Sequence, residues 1–507
     1  MFASIPSAVI VGAQGVPVSV EVHVAKGLPG FHVVGLPDES IRESRDRVRA
    51  AVMSSGGSWP DIKITVNLAP SRQRKSGSAL DLAIAVGVLA ASDQIPVDAI
   101  RGLAFLGEVG LDGSIRGVPG VAPMSGALDD LDLVVPVQST HEALVVARGR
   151  VHPVASIREL IGVFADEAPW PDHDVDRPIA SLRHEPDLAD VVGQPMARHA
   201  LEIAAAGGHH CLFVGPPGSG KTMLAARLPG LLPSLDREQA LEVTMIHSAA
   251  GVQLPPSGLV VRPPYRAPHH TSSSVSIVGG GSNDLRPGEI SIAHHGVLFM
   301  DELPEFTPKV MDTIRQPLED GTVRVARAAL HTTIPSRFQL VAAMNPCPCG
   351  EGNRPGDCEC GSVRLSKYSG RVSGPLLDRF DLRVRVERPA VDDLVSGQPG
   401  ESTRVVAERV AVARDRATAR QGHLNSDLAA RDLDEVAPLT PAALAVLRDE
   451  IENRGLSGRG YHRVRRVART LADLTPHGDE VIDEATVALA LNLRTRVVRS
   501  LDSGRAA

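Results

Sequence analysis

Aromatic residues are scarce in this chain: 2 Trp, 3 Tyr and 9 Phe among 507 residues. Such scarcity argues against a surface that holds single-stranded nucleic acid by stacking rings on bases. An excess of one charge is also missing, since 53 Lys+Arg stand against 60 Asp+Glu for a net charge of −7. No global positive field therefore draws the protein to nucleic acid or to an anionic membrane. Long apolar runs are absent too. The longest, Leu82–Ala91, is well short of the roughly 20 residues of a membrane span. Met1–Val11 has no basic residue ahead of its short apolar run, which makes it a poor signal peptide. Cysteines number five, and four of them fall between Cys347 and Cys360, a site and not a disulfide framework. Composition thus predicts a soluble, acidic, cytoplasmic protein with no membrane partner. What is present supports real cores: 43% of residues are apolar, and roughly 150 residues per domain suggests about three domains.

Organisation follows from periodicity. In residues 1–165, Val18, Val20, Val22 and Val24 share one parity, as do Ile62, Ile64, Val66 and Leu68, the alternation of half-buried strands. Asp38–Met53 and Ala79–Ala91 read as helices between and after them, giving an α+β unit. Residues 166–187 carry four prolines and many acids without periodicity, the mark of a linker. Residues 188–395 switch to short apolar strands ending in Gly-rich or acidic loops, the rhythm of a parallel α/β sheet. A polar Pro/Gly stretch opens residues 396–507, where Ala, Leu, Val and Arg dominate and helices are expected.

The sharpest motif is Gly215-Pro216-Pro217-Gly218-Ser219-Gly220-Lys221-Thr222. The strand Cys211–Val214 leads in and the helical run Met223–Leu228 leads out, as a phosphate-binding loop requires. Glycines let backbone N–H groups curl around phosphates, Lys221 reaches the β/γ-phosphates, and the Thr222 hydroxyl ligates Mg²⁺. Downstream, Val297–Met300 is an apolar strand ending in Asp301, placed to hold Mg²⁺, and Glu302, placed to polarise the attacking water. Gln339–Met344 is a third strand, ending in Asn345; its amide either orients water beside the γ-phosphate or starts a turn before Pro346. Arg379 follows a short helical segment and is either a surface ion-pair residue or an arginine finger lent to a neighbouring subunit's nucleotide. Cys347-x-Cys349 and Cys358-x-Cys360 put four thiolates on two Gly/Pro-rich turns, enough to close a tetrahedral structural Zn²⁺ site. Free or redox-active thiols are the alternative. Cys211 reads as a buried apolar residue.

These elements in this order resemble the AAA+ ATPases. The stretches Asp190–Gln194, Ala204–Gly208, Tyr265–Ser272, Pro287–Ile290, Gly296–Phe306, Asn345–Gly350, Ser373–Phe380 and Tyr461–Leu474 narrow the resemblance to the magnesium-chelatase-like YifB/ComM family over nearly the whole chain. The resemblance implies an α/β fold: an AAA+ P-loop NTPase core over 188–395, with the cysteines at 347–360 as an insertion, and a C-terminal helical lid over 396–507. It also implies an ATP- and Mg²⁺-dependent homohexameric motor. ComM-like members are associated with branch migration of DNA, so branched or single-stranded DNA bound without regard to sequence is the expected partner. A chelatase-type motor that inserts metal and an ATP-dependent protease-like or chaperone protein are the alternatives.

Gly321–Pro335 reads as two β runs around 326–329 and is similar to the pre-sensor hairpin of MCM helicases. That likeness puts Arg327 toward DNA, with Arg324 nearby; a merely solvated hairpin is the plain alternative. Arg459 resembles the sensor-2 arginine of the lid, Arg463 is the runner-up one turn on, and a solvated basic face through Arg465, Arg466 and Arg469 is the third option. His269 and His270 suggest a loop contact more than a metal, because no acid or Cys stands close in sequence. Residues 1–165 resemble the Lon protease fold (S5-like), with Ala79 where its nucleophilic serine would sit and Ala122 where its lysine would sit. Alanine supplies neither a nucleophile nor a base, so an inactive domain is expected, though Lys75, Ser76 and Ser78 lie near.

Overall fold

The computed structural model describes residues 1–494 apart from 72–74, 76, 129, 174–184, 282–284, 328–329, 352–357 and 398. In the N-terminal part, Phe2–Val11 and Gln14–Ala25 form an antiparallel hairpin. Lys63–Ala69 pairs antiparallel with its second strand, and Gly30–Val34 pairs parallel with Lys63–Ala69. Alternation decides the face: Val18, Val20, Val22 and Val24 are buried, as are Ile64, Val66 and Leu68 opposite. The helix Glu39–Ser54 starts at Asp38, whose side chain accepts from the Ile41 N–H, the usual N-cap bond. Asp81–Ala91 is buried at every position and apolar all round after its first residue, Asp81, which pairs with Arg47, as expected of a helix enclosed on all sides. Leu103–Phe105, Asp132–Pro136 and Val151–Val154 make a second, parallel sheet.

The central part is built on five parallel strands in the spatial order Tyr265–Arg266, Val297–Met300, Gln339–Met344, Cys211–Val214, Leu382–Arg385. The strand order reverses at Cys211–Val214, so its C-terminal end opens at the switch point where open α/β sheets bind ligands. The expected single helix Met223–Leu228 is instead two, Lys221–Ala225 and Leu228–Leu231. Pro229 explains the break, because its ring displaces the carbonyl four residues back, at Ala225. The C-terminal part is helical, with Thr403–Gln421, Pro441–Glu452, Gly458–Leu474 and Glu484–Asn492. Val410, Val464 and Ala468 there share one core with Leu201 and Phe213 of the central part.

Among the described contacts that dock the N-terminal part on the centre, two stand out. Ile10 and Ala13 pack with Ile246 and Ala249 of the helix Arg237–Ala250 and with Ile334. Half-buried Glu142 accepts from the Ala122 N–H at 2.9 Å and from the Ser248 hydroxyl. Ile334 lies in the strand Leu330–Pro335, the partner of Thr322–Arg327 in an antiparallel hairpin. The expected two-run hairpin is therefore present, and its foot touches the N-terminal part.

Candidate nucleotide-binding and hydrolysis site

The loop after Cys211–Val214 needs its glycines for two reasons. Gly218 and Gly220 adopt φ of +75° and +86°, the left-handed region open to glycine, and a Cβ on Gly215 would lie 2.1 Å from the Val386 carbonyl oxygen. Lys221 is buried, and its Nζ donates to the carbonyls of Gly215 at 2.8 Å and Pro216 at 2.9 Å and to Asn345 Oδ1 at 3.2 Å. Burial lowers its pKa, while Asp301 and Glu302 pull it back up. The Thr222 hydroxyl donates to Asp301 Oδ2 at 2.6 Å, so the two groups proposed to share Mg²⁺ meet. Hydroxyl and carboxylate oxygens suit that hard cation. The lining Ser219 is packed by Gln194, whose amide donates to the Ser219 carbonyl at 3.1 Å.

Glu302 sits at φ +51°, a conformation costly for a residue with a Cβ and one that gathers at functional sites. It turns an exposed carboxylate out of the strand end, where Oε2 meets His270 Nδ1 at 3.1 Å. Of the histidine pair, His270 thus faces the proposed general base, while His269 Nδ1 meets the Thr271 hydroxyl at 2.8 Å. Neither His269 nor His270 belongs to a cluster of three ligating groups among the described residues. Asn345 follows the buried strand Gln339–Met344 and is fixed on its other side by the Tyr368 hydroxyl, which donates to the Asn345 carbonyl at 3.2 Å.

Arg379 pairs with Glu319 of the helix Pro308–Asp320. Burial lowers its pKa, with Arg463, Arg459 and Arg315 adding repulsion. Arg459 is exposed and stands with this arginine group. Arg463 donates to the Arg379 carbonyl at 2.8 Å and pairs with Asp381. Despite full burial, Asp381 is held far below the usual carboxylate range by His209 and Arg463. The solvated basic face is overturned for its neighbours. Arg465 and Arg469 are buried, the first on Asp434 at 2.6 Å and the second on Asp473 at 2.9 Å, because the helix turns that side inward.

Cys347 Sγ and Cys349 Sγ lie 3.2 Å apart, Cys349 and Cys358 3.5 Å apart, and all four sulfurs within 4.8 Å of one another. Zn–S bonds of about 2.3 Å in a tetrahedron put sulfurs about 3.8 Å apart, so the donor set fits zinc. A second cluster escaped the sequence reading: Glu242 Oε2 meets His294 Nε2 at 3.0 Å and His295 Nε2 at 2.9 Å. His294 Nδ1 accepts from the Arg337 N–H at 2.9 Å, which places the ring proton on Nε2 and leaves no lone pair there for a cation. That cluster is a hydrogen-bonded support under the strand Val297–Met300.

On the hairpin, Arg324 is exposed and faces Thr333 across the ladder, and Arg327 pairs in the backbone with Leu330. The Arg327 side chain lies outside the described residues. In the N-terminal part, Ala79 and Ala122 are buried. Lys75 is buried with its Nζ on the Pro70 carbonyl, and Ser78 donates to Glu108, while Ser76 lies outside the described residues. No described helix is long and apolar enough to cross a membrane.

Three family models match the chain: magnesium chelatase, subunit ChlI, over residues 187–394; subunit ChlI of Mg-chelatase over 20–139; and the ChlI C-terminal region over 400–494. Escherichia coli YifB, uncharacterized, is 41% identical over 472 residues, 91% of each chain. The competence protein ComM of Haemophilus influenzae is 39% identical over 493 residues, 96% of each. A shorter stretch of 173 residues is 26% identical to a rice protein named Probable DNA helicase MCM9, covering 34% of this chain and 21% of that one.

Proposed function

The chain belongs to the YifB/ComM-like magnesium chelatase family, and from that we propose that it is an ATP-hydrolysing AAA+ motor acting on DNA, a hexameric branch-migration helicase. The convergence of Lys221, Thr222, Asp301, Glu302 and Asn345 at one end of the parallel sheet carries the ATPase reading. Gly215–Gly220 and Lys221 hold the phosphates, Thr222 and Asp301 hold Mg²⁺, Glu302 takes the proton of the attacking water, and Asn345 orients that water. Bound Mg²⁺ supplies charge neutralisation at the phosphates. Arg379 and Arg459 lie close enough to repel each other, and in this reading both are lent to a neighbouring subunit's nucleotide, which makes the assembly a ring. Four cysteines hold a structural zinc.

DNA as substrate draws support from the competence protein and helicase names among the relatives and from the hairpin bearing Arg324 and Arg327. A ring gathers a few such arginines in its channel while the exterior stays acidic, and backbone contacts of this kind ignore sequence. The N-terminal Lon-like part, without nucleophile or base, acts as a collar.

A chelatase-type motor is the second reading, favoured by the family description. The test is ATP turnover by purified protein with forked or four-way DNA, casein or protoporphyrin. Stimulation by DNA alone is expected, lost in Arg324→Ala/Arg327→Ala with basal turnover kept. Stimulation by protoporphyrin but not DNA overturns the DNA reading.

A further inference from the structure

We propose that the four-cysteine cluster is a zinc-closed clamp that holds Asn345 at the hydrolytic site, so that losing the metal stops ATP hydrolysis while nucleotide still binds. This rests on the ATPase and zinc readings above and adds what the zinc does. Asn345 lies two residues before Cys347, and Cys347 is buried at 2% exposure directly beyond the strand end. The Gly350 N–H closes the first turn onto the Cys347 carbonyl at 3.0 Å. Gly350, at φ +85°, then lies flat against the phosphate loop, where an added Cβ would come within 2.6 Å of Pro217 Cδ. Arg388 spans the same junction, meeting Glu351 at 2.9 Å and reaching toward the Pro217 carbonyl at 3.4 Å.

The far side of the cluster is tied back as well. The helix Ser362–Ser369 starts just after Cys360 and carries Tyr368, whose hydroxyl holds the Asn345 carbonyl. The chain therefore leaves Asn345, passes through the four sulfurs and returns to Asn345. Apolar burial does little to order this segment: residues 345–361 read NPCPCGEGNRPGDCECG, with no large apolar side chain to bury. A segment so poor in burial does not offset its own ordering entropy. Zinc held by four thiolates supplies the missing cross-link, in the manner of structural sites that stabilise folding outright.

Lys221 reaches the same Asn345 but keeps two loop carbonyls of its own, so phosphate binding has support that the Asn345 amide lacks. The experiment measures zinc content by mass spectrometry, Kd for a fluorescent ATP analogue, and steady-state ATPase on wild type, Cys358→Ser/Cys360→Ser and Gly350→Ala. Wild type is expected to carry about one zinc per chain. The double cysteine variant should be zinc-free, with kcat down by at least about tenfold and Kd changed by less than about threefold. Gly350→Ala, which leaves every sulfur in place, should keep its zinc and lose kcat. Zinc removed from wild type by chelation and then restored should switch hydrolysis off and on.

Zinc-free protein hydrolysing ATP at the wild-type rate overturns the clamp alone. Wild type lacking zinc, with four titratable thiols, overturns the zinc reading and the clamp with it. Wild type that binds zinc but hydrolyses no ATP overturns the ATPase reading and the clamp together.

Discussion

The end of the central sheet and the corresponding niche of the N-terminal part are made of the same backbone materials and filled with opposite side chains. Both set a left-handed glycine directly ahead of a helix: Gly220 at φ +86° before Lys221, and Gly120 at φ +85° before Val121. At the sheet end the positions after the turns are Lys221, Thr222, Asp301, Glu302 and Asn345, each polar group meeting one from another element. In the N-terminal part the two positions that the Lon resemblance matches to a nucleophile and a base are Ala79 and Ala122, both buried, and Ala79 shares an apolar cluster with Leu106, Val118, Val121 and Met124. Gathering partly buried polar groups and a strained Glu302 lowers stability and is retained where chemistry requires it. Methyl groups in the same kind of niche only stabilise. The proposed collar role of the N-terminal part fits this contrast, and Ile10 and Ala13 pack against Ile334 at the foot of the hairpin.

The contrast is broken most directly at Glu302. Glu302→Gln keeps shape and hydrogen bonding but removes the base. ATP turnover is expected to fall about 10²- to 10⁴-fold with nucleotide Kd unchanged, measured by phosphate release and equilibrium binding. The matching change in the N-terminal part, Glu108→Gln at the Ser78 contact, should leave turnover as it is. A Glu302→Gln rate within about threefold of wild type would erase the distinction between the two regions.

Acid should separate them next. His294 is buried, and burial lowers its pKa to about 4, with His295 and Arg337 adding to the drop and Glu242 opposing it. The unfolded chain takes up that proton near pH 6.5, so between pH 6.5 and about 4 the unfolded state binds more protons than the folded one. Stability therefore falls as pH falls through that window, by at most about 3 kcal/mol from this group. The two tryptophans, Trp59 and Trp170, lie in or beside the N-terminal part, and the three tyrosines, Tyr265, Tyr368 and Tyr461, lie in the rest. Each region thus has its own fluorophore for denaturant titrations. Wild type should lose tyrosine-reported stability over the window, and His294→Asn, whose Oδ1 can still accept from the Arg337 N–H, should lose less. Equal slopes in the two proteins would remove His294 as the cause.

Much of this arrangement was legible in the chain. Val18 to Val24 and Ile64 to Leu68 announced their buried face by parity, although Ile62, counted with the second set, lies before the strand and is half-buried; the strands before Gly215, Asp301 and Asn345 showed as four or five apolar residues ending at a Gly or an acid or amide. What escaped depended on distant partners. His270 meets Glu302 across 32 positions, Glu319 meets Arg379 across 60, and Glu242 meets His294 across 52; no local period encodes such pairs. The solvated face that stood as an alternative to Arg459 and Arg463 fails at Arg465 and Arg469 for the same want of a local signal. A run of arginines on a helix suggests a wet face, and only the carbonyls of Leu433, Ala437 and Glu480 brought up against it show that the face is buried.

The mildest test acts inside the N-terminal niche. Ala79 is 6% exposed and its carbonyl already accepts from the Gly107 N–H at 3.1 Å. Ala79→Ser places a hydroxyl among Leu106, Val118 and Val121, and a buried hydroxyl without a good partner costs about 1–2 kcal/mol. Tryptophan-reported denaturation should shift by that amount while ATP turnover stays within error. Peptide hydrolysis should not appear, because the position answering to the lysine is Ala122, whose methyl cannot take the serine proton. Should Ala79→Ser cleave casein, a base would have to come from elsewhere in the niche, and buried Lys75, whose pKa is lowered by its burial, would be the group to remove next. The N-terminal part would then be a disarmed site needing one oxygen, not a body built only for support.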